Sequence, residues 1–292
     1  MVPTGGLSRM TREGTFAGVD GAELFYQMIE PLTAPKATVI IVHGHGDHSG
    51  GLYNINFGLV QEGYIVYTFD LRGHGKSSGK RGFIKSWDEF RGDLHKFRKL
   101  VSKKQPGLPL YMIGHSMGGV IALDYAIDFS SGISGIIAIA PAISYEVTRF
   151  ERLGITLMGK LKPDLSIKKS RLLKRKNSAM AAKFYSDSLR HNTITPGLGR
   201  GLIQGVSRVL NQAPLITMPF LLQYGLRDRI TPPTKLGSFF KQVSSKDKQL
   251  IEYPAAKHRP FDGAGKEQFL SDMITWLDQQ VEKIQKNKVQ AG

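Results

Sequence analysis

Gly114-His115-Ser116-Met117-Gly118 places a serine at the centre of the spacing G-x-S-x-G. Glycine is needed on both sides when a serine must stand on a sharp strand-to-helix turn, because such a turn leaves no room for side chains. A serine hydroxyl is too weak an acid to attack a carbonyl unaided, so the chemistry also needs a base and a group that orients that base. Later in the chain Asp228 follows the apolar run FLLQYGLR, and His258 follows LIEYPAAK. Serine, then acid, then histidine, with each partner just beyond an apolar strand, is the chain order that goes with this turn. Ser116 is therefore the candidate nucleophile, His258 the candidate base and Asp228 the candidate orienting acid of an acyl transfer.

An acyl transfer also develops negative charge on the carbonyl oxygen, which two backbone N–H groups must receive. Met117, directly after the serine, supplies one, and the loop His43-Gly44-His45-Gly46 supplies the other through the His45 amide. The same loop contains a rival signal. His43, His45, Asp47 and His48 spell H-x-H-x-D-H, the zinc-binding pattern of metallo-β-lactamase-like hydrolases, whose ligands generate hydroxide near neutral pH. That alternative needs further ligands later in the chain, whereas a complete serine set already accounts for the other landmarks. No metal and no cofactor are expected. Asp70-Leu-Arg-Gly-His-Gly-Lys-Ser has the glycines and charge of a phosphate cradle but does not fit G-x-x-x-x-G-K-[ST], so it reads as a structural loop in which Asp70 and Arg72 join a hydrogen-bonding network.

These residues need a scaffold, and the hydrophobic pattern supplies one. ATVIIVHG, YIVYTFDL, LPLYMIGHS, GIIAIAPAI, MPFLLQYGL and KQLIEYPA read as strands, separated by helical stretches near 52–62, after Arg81, after Ser116, at 234–243 and at 268–284. Such alternation predicts a mostly parallel sheet with helices on both faces, an α/β class. In the helix after Arg81, Ser86 and Glu89 have capping-box spacing, and Trp87, Phe90, Leu94, Phe97 and Val101 recur at helical intervals. TFAGVDGAELFYQMI, turning at Asp20-Gly21, predicts an antiparallel hairpin at one edge.

The chain has 292 residues, 41% of them hydrophobic, with no cysteine and a net charge of +16. It is long enough for one large domain, and the absence of thiols excludes disulfide and thiolate chemistry. The first residues lack the apolar core of a secretory leader, and the longest apolar run, Gly135 to Ile143, is too short to cross a bilayer. A cytoplasmic chain is expected. Between Ser144 and Leu210 there are 14 Lys or Arg against four Asp or Glu. This divides the chain into a first core part (1–143), an inserted cap (144–210) and a second core part (211–292). Charge of this density favours anionic partners such as phospholipid surfaces, nucleic acid or acidic substrates; if, as the resemblance given below implies, the segment covers the mouth of a lipid-ester site, the expected contact is an anionic membrane touched peripherally through the cap, not nucleic acid.

With those motifs in place, the chain resembles the monoacylglycerol lipase and lysophospholipase group of the α/β-hydrolase superfamily almost end to end. The likeness rests on His43-Gly-His-Gly-Asp-His-Ser-Gly, Asp70-Leu-Arg-Gly-His-Gly-Lys-Ser, Gly114-His-Ser-Met-Gly-Gly, Phe184-Tyr-Ser-Asp, Met218-Pro-Phe-Leu-Leu-Gln-Tyr-Gly with Asp228-Arg229, and His258. It implies a central sheet with an inserted helical cap and an acyl-enzyme route on medium- or long-chain esters, with monoacylglycerol ahead of lysophospholipid. It further implies Ser116, Asp228 and His258 as catalytic residues, His45 and Met117 as oxyanion donors, and His115 and Tyr185 as contacts to the glycerol side. The chain departs from the group at His45, where a small residue is common, and at Arg259-Pro260-Phe261, where a polar or acidic pair is common. Both departures bear on the polar half of the substrate pocket. Within the cap, Leu153, Ile155, Leu157, Met158 and Leu161 are expected either to line an acyl tunnel or to form the cap's own packing.

Overall fold

Nearly continuous apolar runs form strands that are covered on both faces, and the central runs of this chain meet that condition. In the computed structural model, which describes residues 11–144, 148–168 and 186–291, the sheet begins with the hairpin β1 (Thr11–Ala17) and β2 (Glu23–Ile29). It continues with β3 (Ala37–Val42), β4 (Tyr64–Phe69), β5 (Leu110–His115) and β6 (Gly135–Ile139), every residue of which is buried. The hairpin turns at Asp20 and Gly21, both with positive φ, as the Asp-Gly pair predicts.

After β6 the chain leaves the sheet. It forms α4 (Arg149–Leu161), a two-residue strand pair β7 (Ile167–Lys168) and β8 (Thr193–Ile194), and α5 (Pro196–Asn211). It then re-enters the sheet as β9 (Phe220–Gly225) and β10 (Lys248–Tyr253). The strand order is β1-β2-β4-β3-β5-β6-β9-β10. β1 with β2 and β2 with β4 are antiparallel, and all other neighbours are parallel. The expected mostly parallel sheet with an antiparallel edge is thus present.

Alternate residues of each strand serve opposite faces. Ile40, Val42, Tyr67, Phe69 and Met112 pack on one side with α2 (Trp87–Lys104) and α3 (Met117–Asp128). Val39, Ile41, Val66, Tyr111 and Ile113 pack on the other with α1 (Tyr53–Gln61) and α7 (Lys266–Ala291). A further helix, α6 (Leu236–Gln242), precedes β10. On α2, Phe90, Leu94, Phe97 and Val101 are fully buried as their spacing predicts, and truncating Phe97 to alanine is expected to cost about 3–5 kcal/mol.

The cap of α2 differs from the expectation. Ser86 is the N-cap in extended conformation but makes no side-chain capping bond. Glu89 instead accepts from the Lys85 amide at 2.8 Å and pairs with Arg72. Glu89 thus divides its oxygens, one on the buried guanidinium and one on an amide a residue earlier than a capping box places it. The full capping box lies at Thr148 and Glu151, at the start of α4.

α5 lies against the core, where Gly205 lets it approach so closely that a Cβ there would sit 2.3 Å from the Trp87 ring. Arg208 of α5 bonds Asp124 and Asp128 of α3. α4 packs on α5 through Gly159 and Ile155. The expectation for the cap's apolar residues therefore needs correction. Ile155 and Met158 are half-buried, but Leu153 (67%), Leu157 (54%) and Leu161 (68%), together with Phe150 (86%), are exposed along one stripe of α4. Their spacing gives an amphipathic helix whose apolar side faces outward. Among the described residues, no helix is long and apolar enough to cross a membrane.

Candidate active site

Ser116 occupies the turn between β5 and α3 with φ 55° and ψ −121°. A non-glycine residue held there stores about 1–3 kcal/mol, which the surrounding contacts must hold in place. The flanking glycines explain how. A Cβ on Gly114 would lie 2.4 Å from the Gly118 carbonyl oxygen, and one on Gly118 would lie 2.2 Å from the Val42 oxygen and 2.4 Å from the His43 oxygen. The first turn of α3 thus rests directly on the end of β3. This contact brings Met117, whose amide as first residue of a helix has no intrahelical acceptor, beside the loop that carries His45. A Cβ on Gly44 would stand 3.0 Å from the Ser116 Cβ, so that loop also runs against the serine.

The acid and the histidine arrive from the neighbouring strand ends. Asp228 follows β9 and His258 follows β10, and the Arg227 amide donates to the Ala256 carbonyl at 3.0 Å, locking the two loops together. His258 Nε2 lies 3.0 Å from Ser116 Oγ, and its Nδ1 lies 2.7 Å from Asp228 Oδ2. A carboxylate accepts only, so Nδ1 carries the proton and Nε2 faces the serine as a proton acceptor. Asp228 is itself held by the amides of Ile230 (2.7 Å) and Thr231 (3.0 Å) on Oδ1 and by the Thr231 hydroxyl (2.7 Å) on Oδ2. Burial pushes its carboxyl up, but the bond and charge of His258 and the bonds from Thr231 outweigh that and hold it below its ordinary value. The arrangement can activate a hydroxyl, take its proton, and stabilise the imidazolium that results.

Thr231 is a site residue that the sequence motifs do not single out. Its hydroxyl also lies 3.1 Å from His258 Nδ1 and 3.3 Å from the carbonyl oxygen of Ala140, a residue with φ 41° just past β6. The available signal is the spacing Asp228-x-x-Thr231, a short-range pattern in which a threonine bonds an aspartate three residues back.

His115 is buried, and its Nε2 donates to the His258 carbonyl at 3.0 Å. Burial first, then the neighbouring His258 and Arg259, push its pKa well down, so the ring stays neutral. Among the described residues its Nδ1 has no hydrogen-bond partner. Tyr185, the other residue implied on the glycerol side, lies outside the described residues.

The H-x-H-x-D-H residues do not converge. His43 donates from Nδ1 to the Gly44 carbonyl (2.8 Å) and accepts at Nε2 from the Leu71 amide (3.0 Å), which commits both ring nitrogens. His45 Nε2 donates to the Thr193 carbonyl at 2.8 Å. Asp47 takes Arg190 on one oxygen and Arg259 on the other, and His48 meets Asp187 at 2.8 Å. Among the described residues, no three His, Asp or Glu side chains are grouped to hold a metal ion. In the neighbouring loop Asp70 accepts from the amides of Ser49 (2.6 Å) and Lys76 (2.7 Å), while Arg72 pairs separately with Asp93 and Glu89.

Fold and side-chain arrangement together define a serine hydrolase with the α/β-hydrolase fold, and the chain belongs to the family described as serine aminopeptidase, S33, whose pattern matches residues 33–262. Within that family its likeness is to monoacylglycerol lipases. It is 31% identical over 245 residues to the monoglyceride lipase of Homo sapiens, covering 82% of this chain and 80% of that protein. It is 28% identical over 275 residues to the monoacylglycerol lipase of Mycolicibacterium smegmatis, covering 93% and 98%. The crystal structure of the Paleococcus ferrophilus monoacylglycerol lipase superposes with a TM-score of 0.78 at 31% identity, covering 88% of this chain and 99% of that one.

Proposed function

We propose that the protein hydrolyses monoacylglycerols through an acyl-enzyme on Ser116. The observation that carries the proposal is the continuous chain from Ser116 Oγ to His258 Nε2 (3.0 Å) and from His258 Nδ1 to Asp228 (2.7 Å), mounted on the strained turn. His258 takes the proton as Ser116 Oγ attacks the ester carbonyl. The oxyanion is received by the amides of His45 and Met117. Collapse returns the proton to the glycerol oxygen, which leaves. Water, deprotonated by the same imidazole, then releases the fatty acid. His115 and Tyr185 are the two glycerol-side contacts that the family resemblance implies. The likeness to monoacylglycerol lipases favours monoacylglycerol over lysophospholipid and over the peptide substrate that the family description mentions.

Residues 144–210 act in this proposal as a cap that meets the lipid surface. The outward apolar stripe of α4 is flanked by Arg149, Arg152, Lys160 and Lys162, a combination suited to an interface between water and anionic lipid. Lys174, Arg175 and Lys176, the densest part of the basic run, lie outside the described residues. Each cation near an anionic surface contributes about 1 kcal/mol, fading as salt screens it.

The deciding experiment compares fatty-acid release from 2-monooleoylglycerol with fatty-acid release from lysophosphatidylcholine. The monoacylglycerol is expected to turn over faster in kcat/KM, and the reverse order would displace the proposal in favour of a lysophospholipase. Sedimentation with anionic and neutral liposomes tests the cap. Binding is expected to rise with anionic lipid, fall with salt, and weaken both in Lys174, Arg175 and Lys176→Gln and in Leu153→Ser with Leu157→Ser.

A further inference from the structure

The H-x-H-x-D-H segment is not used up by the chemistry of Ser116, yet its polar side chains beyond His43 all reach one stretch of the cap. His45 bonds the Thr193 carbonyl, Asp47 receives Arg190 Nε at 2.8 Å, and His48 bonds Asp187. The backbone adds the His191 amide on the Gly46 carbonyl (3.1 Å), and Arg190 adds a bond to the Gly51 carbonyl (3.2 Å). Contact is so close that a Cβ on Gly46 would lie 2.2 Å from the His191 oxygen. Cap residues 187–193 are laced to the loop that carries the His45 amide.

Asp47 reaches further than its neighbours. Its second oxygen takes Arg259, the residue directly after His258. Arg259 also bonds the Gly51 carbonyl (2.6 Å) and Asp262 (2.6 Å) and lies 4.7 Å over the Phe261 ring. Asp47 is buried. Burial alone would push its carboxyl up, but the two guanidinium groups bring it down to about 2, so it is ionised at neutral pH. Each guanidinium gives one N–H to Asp47 and another to the Gly51 carbonyl, and a planar group held at two acceptors is fixed in direction as well as distance.

We propose that Asp47 is a positioning residue that joins the cap to both catalytic loops, holding the His45 amide through Arg190 and the His258 loop through Arg259. The proposal rests on the roles given to Ser116, His258 and His45 above. It gives the metal-like motif a mechanical role, in which the seating of the cap decides where the oxyanion donor stands. It also accounts for Arg259, which departs from the family pattern and supplies half of the joint.

The test uses the full chain and p-nitrophenyl acetate, whose acyl group is too short to need the cap. Variants Asp47→Asn and Arg190→Met are compared with wild type and with Ser116→Ala. Because displacement of a reacting group by about 1 Å can cost about 10²-fold, Asp47→Asn is expected to lower kcat at least about tenfold and Arg190→Met at least about threefold, with KM within about twofold of wild type. The inhibition constant of a trifluoromethyl ketone, which forms a tetrahedral adduct on Ser116 and fills the oxyanion site, should rise by the same factor as kcat/KM falls. A role in stability alone lowers the melting temperature and leaves both quantities unchanged at a temperature where the variant is folded. If Asp47→Asn does not fold, Arg190→Met, altered only on the cap side, decides. Folded variants with wild-type kcat, or with losses confined to KM, overturn the proposal while an inactive Ser116→Ala leaves the site intact; turnover surviving in Ser116→Ala overturns the site itself.

Discussion

Replacing Thr231 by valine keeps the outline of the side chain and removes one hydroxyl from the support of Asp228. That hydroxyl has a single proton and three neighbours: Asp228 Oδ2 at 2.7 Å, His258 Nδ1 at 3.1 Å and the Ala140 carbonyl at 3.3 Å. The proton belongs to the carboxylate, the closest and the charged acceptor, which turns an oxygen lone pair toward the Nδ1–H of His258. A hydrogen bond to a charged group contributes about 1.5–3 kcal/mol. Asp228 keeps the donors from Ile230, the Thr231 amide and His258, so the loss belongs at the lower end. At about 1.4 kcal/mol per factor of ten, kcat is expected to fall about tenfold. The deficit falls on kcat and not on KM, because the carboxylate is needed most when His258 carries two protons in the transition state. Steady-state hydrolysis of p-nitrophenyl butyrate by wild type, Thr231→Val and Thr231→Ser reads it out. Serine restores the hydroxyl and should restore most of the rate. A valine variant within about twofold of wild type, or serine and valine equally impaired, would refute the assignment of this hydroxyl to the acid.

Other outcomes follow from the same geometry. Gly118→Ala places a methyl 2.2 Å from the backbone oxygen of Val42, where nothing flexible can yield, and is expected to cost about 3 kcal/mol or more in urea denaturation. The buried histidines make stability depend on pH: burial, then Arg81 and other neighbours, lower His191 from 6.5 to about 4, and His43, His74 and His115 are lowered as well, chiefly by burial. Because the unfolded chain takes up these protons first, stability is complete above about pH 6.5 and declines toward pH 4. The melting temperature should therefore drop between pH 7 and pH 5, and less steeply in His191→Gln; a flat profile contradicts this. Dialysis against a chelator should leave ester turnover unchanged, since both nitrogens of His43 and both oxygens of Asp47 are committed within the protein.

How much of this could be read from the residues depended on the range of the forces involved. The strands were readable because a strand buried on both faces must be apolar throughout, as Ala37–Val42 and Tyr64–Phe69 are. Ser116 was readable because its turn forces glycine at fixed positions, and Asp228 and His258 because the sheet delivers them at strand ends. Local pattern failed where a distant charge intervened. Ser86 and Glu89 have capping-box spacing, but Glu89 gives one oxygen to Arg72, far back in the chain, and the other to the Lys85 amide. The leucines of α4 repeat as if for a core, yet they face outward, and amphipathic spacing alone does not say which side the protein covers. The H-x-H-x-D-H residues resembled a metal site because ligand spacing is a short-range pattern, whereas their partners Asp187, Arg190, Thr193 and Arg259 lie more than a hundred positions away. No spacing within the loop could reveal them.

The central claim is that Ser116, activated by His258, is the nucleophile that becomes acylated. Treating the protein with a fluorophosphonate and locating the adduct by peptide mass spectrometry tests it directly. The account predicts stoichiometric labelling on the peptide containing Ser116, abolished in Ser116→Ala, strongly slowed in His258→Ala and indifferent to chelator, with loss of ester turnover in step with labelling. Label on another residue, or ester hydrolysis persisting in Ser116→Ala above about a hundredth of the wild-type kcat, would contradict it, since even one oxyanion donor typically contributes about 10²-fold.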